Sequence, residues 1–264
     1  GFAPPLGFVS RTGIWETTGH VDFTPRPGVL GIRQLDFTVP IPTWDIIARG
    51  QGSLGRRSDW QTASLQWTLL GGDRDNGDHF EFLLQRFLDA PPDTFPIYPG
   101  VAVPPGRYWW TRWEVAYAMA PARPLSVQMR ASRGGFYGGH STDLDVSAEW
   151  RGGGHLQLGS ELIRTAARLP AGAFVALLSI NHIEYDMSTR AGAQVFVQFD
   201  GEDQRVDLNA RFHWIPVVGD DFYLVWNSGF TTDPLARHRF PDAAALARPL
   251  NGAVIVKFVH RLGP

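Results

Sequence analysis

Three groups of residues in this chain have types and spacings that could do chemistry. Asp73, Asp75, Asn76 and Asp78 crowd oxygen ligands together with Gly77 among them, as the opening of a calcium loop does. The bidentate Glu that such a loop needs at its twelfth position is Leu84 here, and Asn76-Gly77 is also a hairpin signal. A polar turn is the better reading, and no metal is expected. His140-Ser141, Asn181-His182 and His213 suggest a second chemistry, because a serine with a histidine base is the minimum for acyl transfer. No strand-turn-helix elbow presents that serine, no oxyanion donors can be named, and 8 histidines in 264 residues supply such neighbours by chance. No catalytic residue and no cofactor is assigned.

The third group is Arg112, Glu114, Arg130, Asp143, Asp145, Glu149, Glu161, Asp207, Arg211 and His213, charges of both signs at alternate positions of otherwise apolar segments. If they face a lumen, two roles are open. Neighbouring strands could pair them, since an unpartnered buried ion is costly, or they could line an aqueous path and set its selectivity. Pairing is the expectation for any single residue, although about 14 strands enclose more space than side chains fill. Trp109, Trp113, Tyr117, Trp150, Trp214 and Trp226 occupy the opposite, apolar positions, often near segment ends, where rings anchor a barrel at the two headgroup levels. A sugar-stacking platform would instead need rings facing the lumen or an outer loop, for which Trp110, Phe95 and Tyr98 are the candidates.

All these placements presuppose strands. Between residues 206 and 214, Val206, Leu208, Ala210, Phe212 and Trp214 alternate with Asp207, Asn209, Arg211 and His213, a period of two that gives a strand two unlike faces. The alternation recurs at 13–24, 34–39, 44–49, 60–70, 79–88, 109–117, 125–132, 143–150, 156–162, 174–185, 194–199, 222–230 and 253–262. Turn residues separate them, notably at 25–28, 71–78 and 134–139. Roughly 14 strands of about ten residues each suit an all-β, antiparallel up-and-down transmembrane β-barrel. If the last strand ends in the periplasm, the long links 89–105 and 231–250 lie outside and the short links 120–123, 151–154 and 215–220 inside, the usual asymmetry of such barrels.

Composition agrees. With 29 Gly, 20 Pro and 10 Trp, residues 1–264 read as a single β domain with many turns and rings for two girdles. The formal charge of −2, with scattered cations, provides no basic field for nucleic acid. The absence of Cys removes disulfides and thiolate chemistry. No apolar run is long enough for a membrane helix, a test that a barrel escapes because half its strand residues face inward. The chain starts at Gly1 without an initiator Met or signal peptide, so a segment of a longer protein is expected.

Four pieces carry a resemblance: Gly7-Phe8-Val9-Ser10-Arg11-Thr12-Gly13-Ile14, Pro104-Pro105-Gly106-Arg107-Tyr108, Gly135-Phe136-Tyr137-Gly138, and the tract from Gln194 through Asn209, Arg211, Trp214, Gly219, Asp220 and Trp226 to Asn227. In this order they resemble the C-terminal β-barrel region of an uncharacterised bacterial outer-membrane family that carries a family-nine carbohydrate-binding-like domain. Phe199-Asp200 departs from the Tyr-Asn expected there, Leu262-Gly263-Pro264 lacks a final aromatic, and the carbohydrate-binding-like domain is absent. The resemblance implies a place in the bacterial outer membrane with its lipid as partner. The expected function is to pass or bind a solute, a saccharide or peptide, at the cell surface. A soluble β-sandwich or ligand-binding barrel is the alternative, and a barrel-embedded hydrolase the second.

Overall fold

The structure, a computed structural model, describes residues 13–50, 52–232 and 248–260. The alternating segments are strands: β1 (Ile14–Gly19), β2 (Ile32–Asp36), β3 (Thr43–Arg49), β4 (Trp60–Arg74), β5 (His79–Asp89), β6 (Phe95–Tyr98), β7 (Val101–Val103), β8 (Tyr108–Ala118), β9 (Leu125–Phe136), β10 (Gly139–Gly152), β11 (Leu156–Leu169), β12 (Gly172–Ser188), β13 (Ala191–Asp200), β14 (Arg205–Trp214), β15 (Asp220–Thr231) and β16 (Arg248–His260). Among the described residues the only helical element is a single 3-10 turn, Arg57–Asp59. The protein is all-β, an antiparallel up-and-down sheet of 14 strands. Its hydrogen-bonded path runs β1-β3-β4-β5-β8 and then in chain order to β16, with β2 beside β4 and with β1 and β16 as the ends.

Several boundaries differ from the sequence reading for local reasons. The turn expected at 71–78 is shorter, because β4 continues through Gly71 and Gly72 to pair with β2. A Cβ at Gly72 would stand 2.4 Å from the Gln34 carbonyl oxygen, so only glycine allows that approach. The turn expected at 134–139 contracts to Tyr137 and Gly138, whose φ angles of 41° and 80° suit a two-residue hairpin. The first strand stops at Gly19, and Phe23 makes only an isolated bridge to Phe37. The link 89–105 is not structureless, since β6 and β7 form a hairpin within it. Most of the link 231–250, the segment 7–12 and the terminal 262–264 lie outside the described residues.

The chain divides into two compact units. The first holds the chain to Ala118 together with Arg130–Asp143 and Thr165–Val175; the second holds Met119–Met129, Leu144–Arg164 and the chain from Ala176. In the first unit the register aligns Gln66, Gln85 and Arg112 across β4, β5 and β8 on one face, and Trp67, Leu84 and Trp113 on the other. Ile46, Ala63 and Leu88 are buried on this second face, with Trp44, Leu54, Trp60, Leu65 and Trp109 packed against them. In the second unit β12 to β16 pair each with the next, aligning Gln194 with Arg211 and Asn209 with Asn227.

Candidate functional site

On β8 the faces are occupied in the opposite sense to a water-soluble sheet. Arg112 and Glu114 are 6% and 8% exposed, whereas Trp113 and Val115, alternating with them, are 49% and 43% exposed. Burying a guanidinium demands partners, and Arg112 has three. Its Nη1 donates to Ser141 Oγ, its Nη2 donates to Ser132 Oγ at 2.7 Å, and it forms an ion pair with Asp143. Ser132 in turn donates to Asp143 at 3.3 Å. Glu114 pairs with Arg130 at 3.4 Å, and Gln85 donates to Gln66 at 3.1 Å to extend the polar face. Gly134 allows this packing: a Cβ there would lie 2.2 Å from the Thr111 carbonyl oxygen and 2.6 Å from the Arg112 Cα.

Where β5 gives way to the proline-rich link, the same face borders a cavity of about 850 Å³. Arg49, Gln61, Thr62, Asp89, Phe95 and Arg107 are among its lining residues. The Tyr137 hydroxyl donates to Asp89 at 2.6 Å, and burial, then that bond, push this phenol well above its usual range. Such a set has both a carboxylate and guanidinium groups to take hydroxyls or a peptide backbone, plus one ring edge. Neither Trp110 nor Tyr98 forms the open platform that sugar stacking would need. Trp110 is enclosed by Phe87, Phe136 and Tyr137, and Tyr98 stacks on Phe174 at 4.5 Å. Phe95 alone of the three lines the cavity, edge-on to Tyr137.

The remaining charges lie in the second unit. Glu149 pairs with Arg151 and accepts from Gln157 at 2.9 Å. Glu161 is half-buried beside Ser147 and His182 in a small recess, and Asp145 is half-buried on β10. Asp207 pairs with Arg205 at 2.6 Å, and His213 meets Asp221 at 2.8 Å while stacking on Tyr223. Arg211 is exposed, aligned with Gln194. Of the ten candidates, Arg112, Glu114, Arg130 and Asp143 are thus brought together, and the others are distributed along β10, β11 and β14.

Among the expected interface aromatics, Trp113 stacks on Phe82 at 5.4 Å, and Trp150, Trp214 and Trp226 are exposed on their strands. Trp109 is instead packed against the small apolar cluster, and Tyr117 is half-buried, its hydroxyl donating to Asp78 at 2.6 Å. That bond accounts for the calcium-like turn. Asn76 caps Asp78 with reciprocal bonds of 3.1 Å, and Asp73 is held by Arg33 and His79. Ser141 is buried and spent on Arg112, which is no arrangement for a nucleophile.

Four contributors were not singled out from the sequence: Asp89 and Arg49 at the cavity, Phe196 and Tyr223. Phe196 sits in register with Asn209 and stacks on His182, so it belongs to the polar face, as Tyr223 does through His213. The available signal was a ring out of phase with the apolar period. Compared with known proteins, the chain matches no family model, no curated protein and no solved structure.

Proposed function

We propose that this chain is an outer-membrane β-barrel protein that binds or passes a saccharide or peptide at the cell surface. The observation that carries the reading is the inversion on β8: an ion-paired guanidinium and carboxylate buried on one face, indole and valine exposed on the other. In water that arrangement forfeits apolar burial, while against acyl chains it is the arrangement a spanning strand adopts. The resemblance to the outer-membrane family supports the same location, and closure of the 14-stranded sheet by joining its end strands β1 and β16 belongs to this proposal. The cavity bordered by Arg49, Asp89 and Phe95 supports a polar solute, with hydrogen-bonding groups of both kinds beside a ring.

Two measurements test it. Val115→Lys, on the exposed apolar face, is expected to destabilise the protein in lipid vesicles by about 2–4 kcal/mol if the site is near the bilayer midplane; a change within about 0.5 kcal/mol, as at a water-facing position, speaks against lipid contact. Reconstituted liposomes should swell in oligosaccharide or oligopeptide solutions, or the protein should retain such a solute in detergent. A chain that stays monomeric in buffer without detergent overturns the membrane reading.

A further inference from the structure

On the apolar face of the first unit, Arg57, Arg86 and Arg107 gather around Trp60, Trp67 and Trp109, lining a cavity of about 410 Å³ with Leu65 and Ser58. Among the described residues no carboxylate lines it. None of the three arginines makes an ion pair among the described residues, whereas Arg112, Arg130, Arg151 and Arg205 on the polar face each do. All three are solvent-exposed and without a carboxylate partner, so an anion entering the cavity would meet like charges that nothing nearby neutralises.

Their positions are built. Arg107, just before β8, donates to the backbone carbonyls of Arg57, Ser58 at 3.4 Å and Trp60 at 2.9 Å, which ties down the 3-10 turn that carries Arg57. The Arg57 guanidinium lies 6.0 Å from the Trp60 ring centre and that of Arg86 lies 5.2 Å from Trp109, with the two indoles 6.3 Å apart. Cation–π contact and the planar fork pre-set these groups for phosphate oxygens. The register runs from Arg86 along the same face to Leu84, Trp113, Phe82 and Val115, the apolar surface described above.

We infer that this cavity binds the phosphate headgroup of an anionic lipid, with the acyl chain lying along the exposed apolar face. A free anion would answer the charge but leave the indole and leucine wall without use, so the shape and the charge together select an amphiphile. The inference rests on the membrane reading and adds to it a specific site and ligand class.

The full chain is reconstituted in vesicles of phosphatidylcholine with phosphatidylglycerol, extracted into mild detergent, and its retained lipid counted by native mass spectrometry. Retention of phosphatidylglycerol above its share in the vesicle is expected. The double variant Arg57→Gln with Arg86→Gln should lower the excess by about fivefold per arginine removed, while Arg190→Gln, in a turn of the second unit, leaves it unchanged. Retention in proportion to vesicle composition by an inserted wild-type protein overturns the site and leaves the membrane reading standing. Failure to insert overturns both. Displacement of the retained lipid by millimolar inorganic phosphate, with phosphate itself then bound, assigns the cavity to a free anion and overturns the lipid assignment.

Discussion

The polar faces of the two units treat charge differently. In the first, Arg112 and Glu114 are buried, and the guanidinium is divided among Asp143, Ser132 and Ser141. In the second, Arg205 and Asp207 pair with side chains 38% and 45% exposed, Arg211 stands exposed, and Asn209 and Asn227 face each other across two strands. A buried network is held by the cost of leaving any member unpaired, whereas an exposed pair is screened and contributes little. Around Arg112 the polar face of the first unit is therefore a packed network, whereas around Asn209 and Arg211 that of the second is open to solvent, although both are built from the same alternation of residues.

The comparison breaks most sharply at Arg112. Arg112→Leu is expected to cost about 2–4 kcal/mol, because the half-buried Asp143 loses its cation and the buried Ser141 its donor; urea unfolding in detergent micelles measures this. A loss below about 1 kcal/mol would mean that water already reaches the network. Gly134→Ala comes next. Its Cβ would meet backbone atoms of β8, and the expected loss is about 1–3 kcal/mol, while Gly252→Ala in the second unit, with its nearest atom at 3.7 Å, meets only ordinary contact.

Tyr137→Phe removes one hydrogen bond to Asp89, an expected loss of about 1 kcal/mol at neutral pH by the same unfolding assay. Because the phenol is raised in the folded protein, its contribution is complete below the ordinary tyrosine range, near pH 10, and is lost as pH climbs toward the folded value. The gap between wild type and Tyr137→Phe should narrow above about pH 10; a constant gap would mean that no such shift exists. The smallest effect is expected at the exposed pair of the second unit, where Asp207→Asn should change stability by about 0–1 kcal/mol and less in high salt.

Much of the fold was legible because strand side chains repeat every two residues, and so the phase of Trp113 against Arg112 and Glu114 can be read without coordinates. Boundaries were less so. Gly71, Gly72, Gly134 and Gly135 look like turn residues, yet they are strand positions, and Gly72, Gly134 and Gly135 are kept small by backbone or side-chain atoms of β2 and β8, contacts far away in sequence. The hairpin β6–β7 was missed because Pro96 and the surrounding prolines mark a loop, although a proline can sit in a strand that lacks a second neighbour. Phe196 was hidden by lying beside Val195 and Val197, where apolar character suggests the wrong face.

The site was less legible than the fold. Periodicity names which charges share a face, but the grouping of Arg112 with Ser132, Ser141 and Asp143 depends on the register of three strands, β8, β9 and β10. The same holds for the clustering of Arg57, Arg86 and Arg107, residues from a turn, a strand and a link whose sequence spacing carries no signal.

By itself the sequence determined the all-β class, the number of main strands and the side of each strand on which a residue stands, because these follow from the two-residue repeat and from turn chemistry within a few positions. Only the tertiary structure decided which of those sides is buried and which charges meet. Those choices are made by pairing between segments tens of residues apart, where one residue of slip would exchange the two faces.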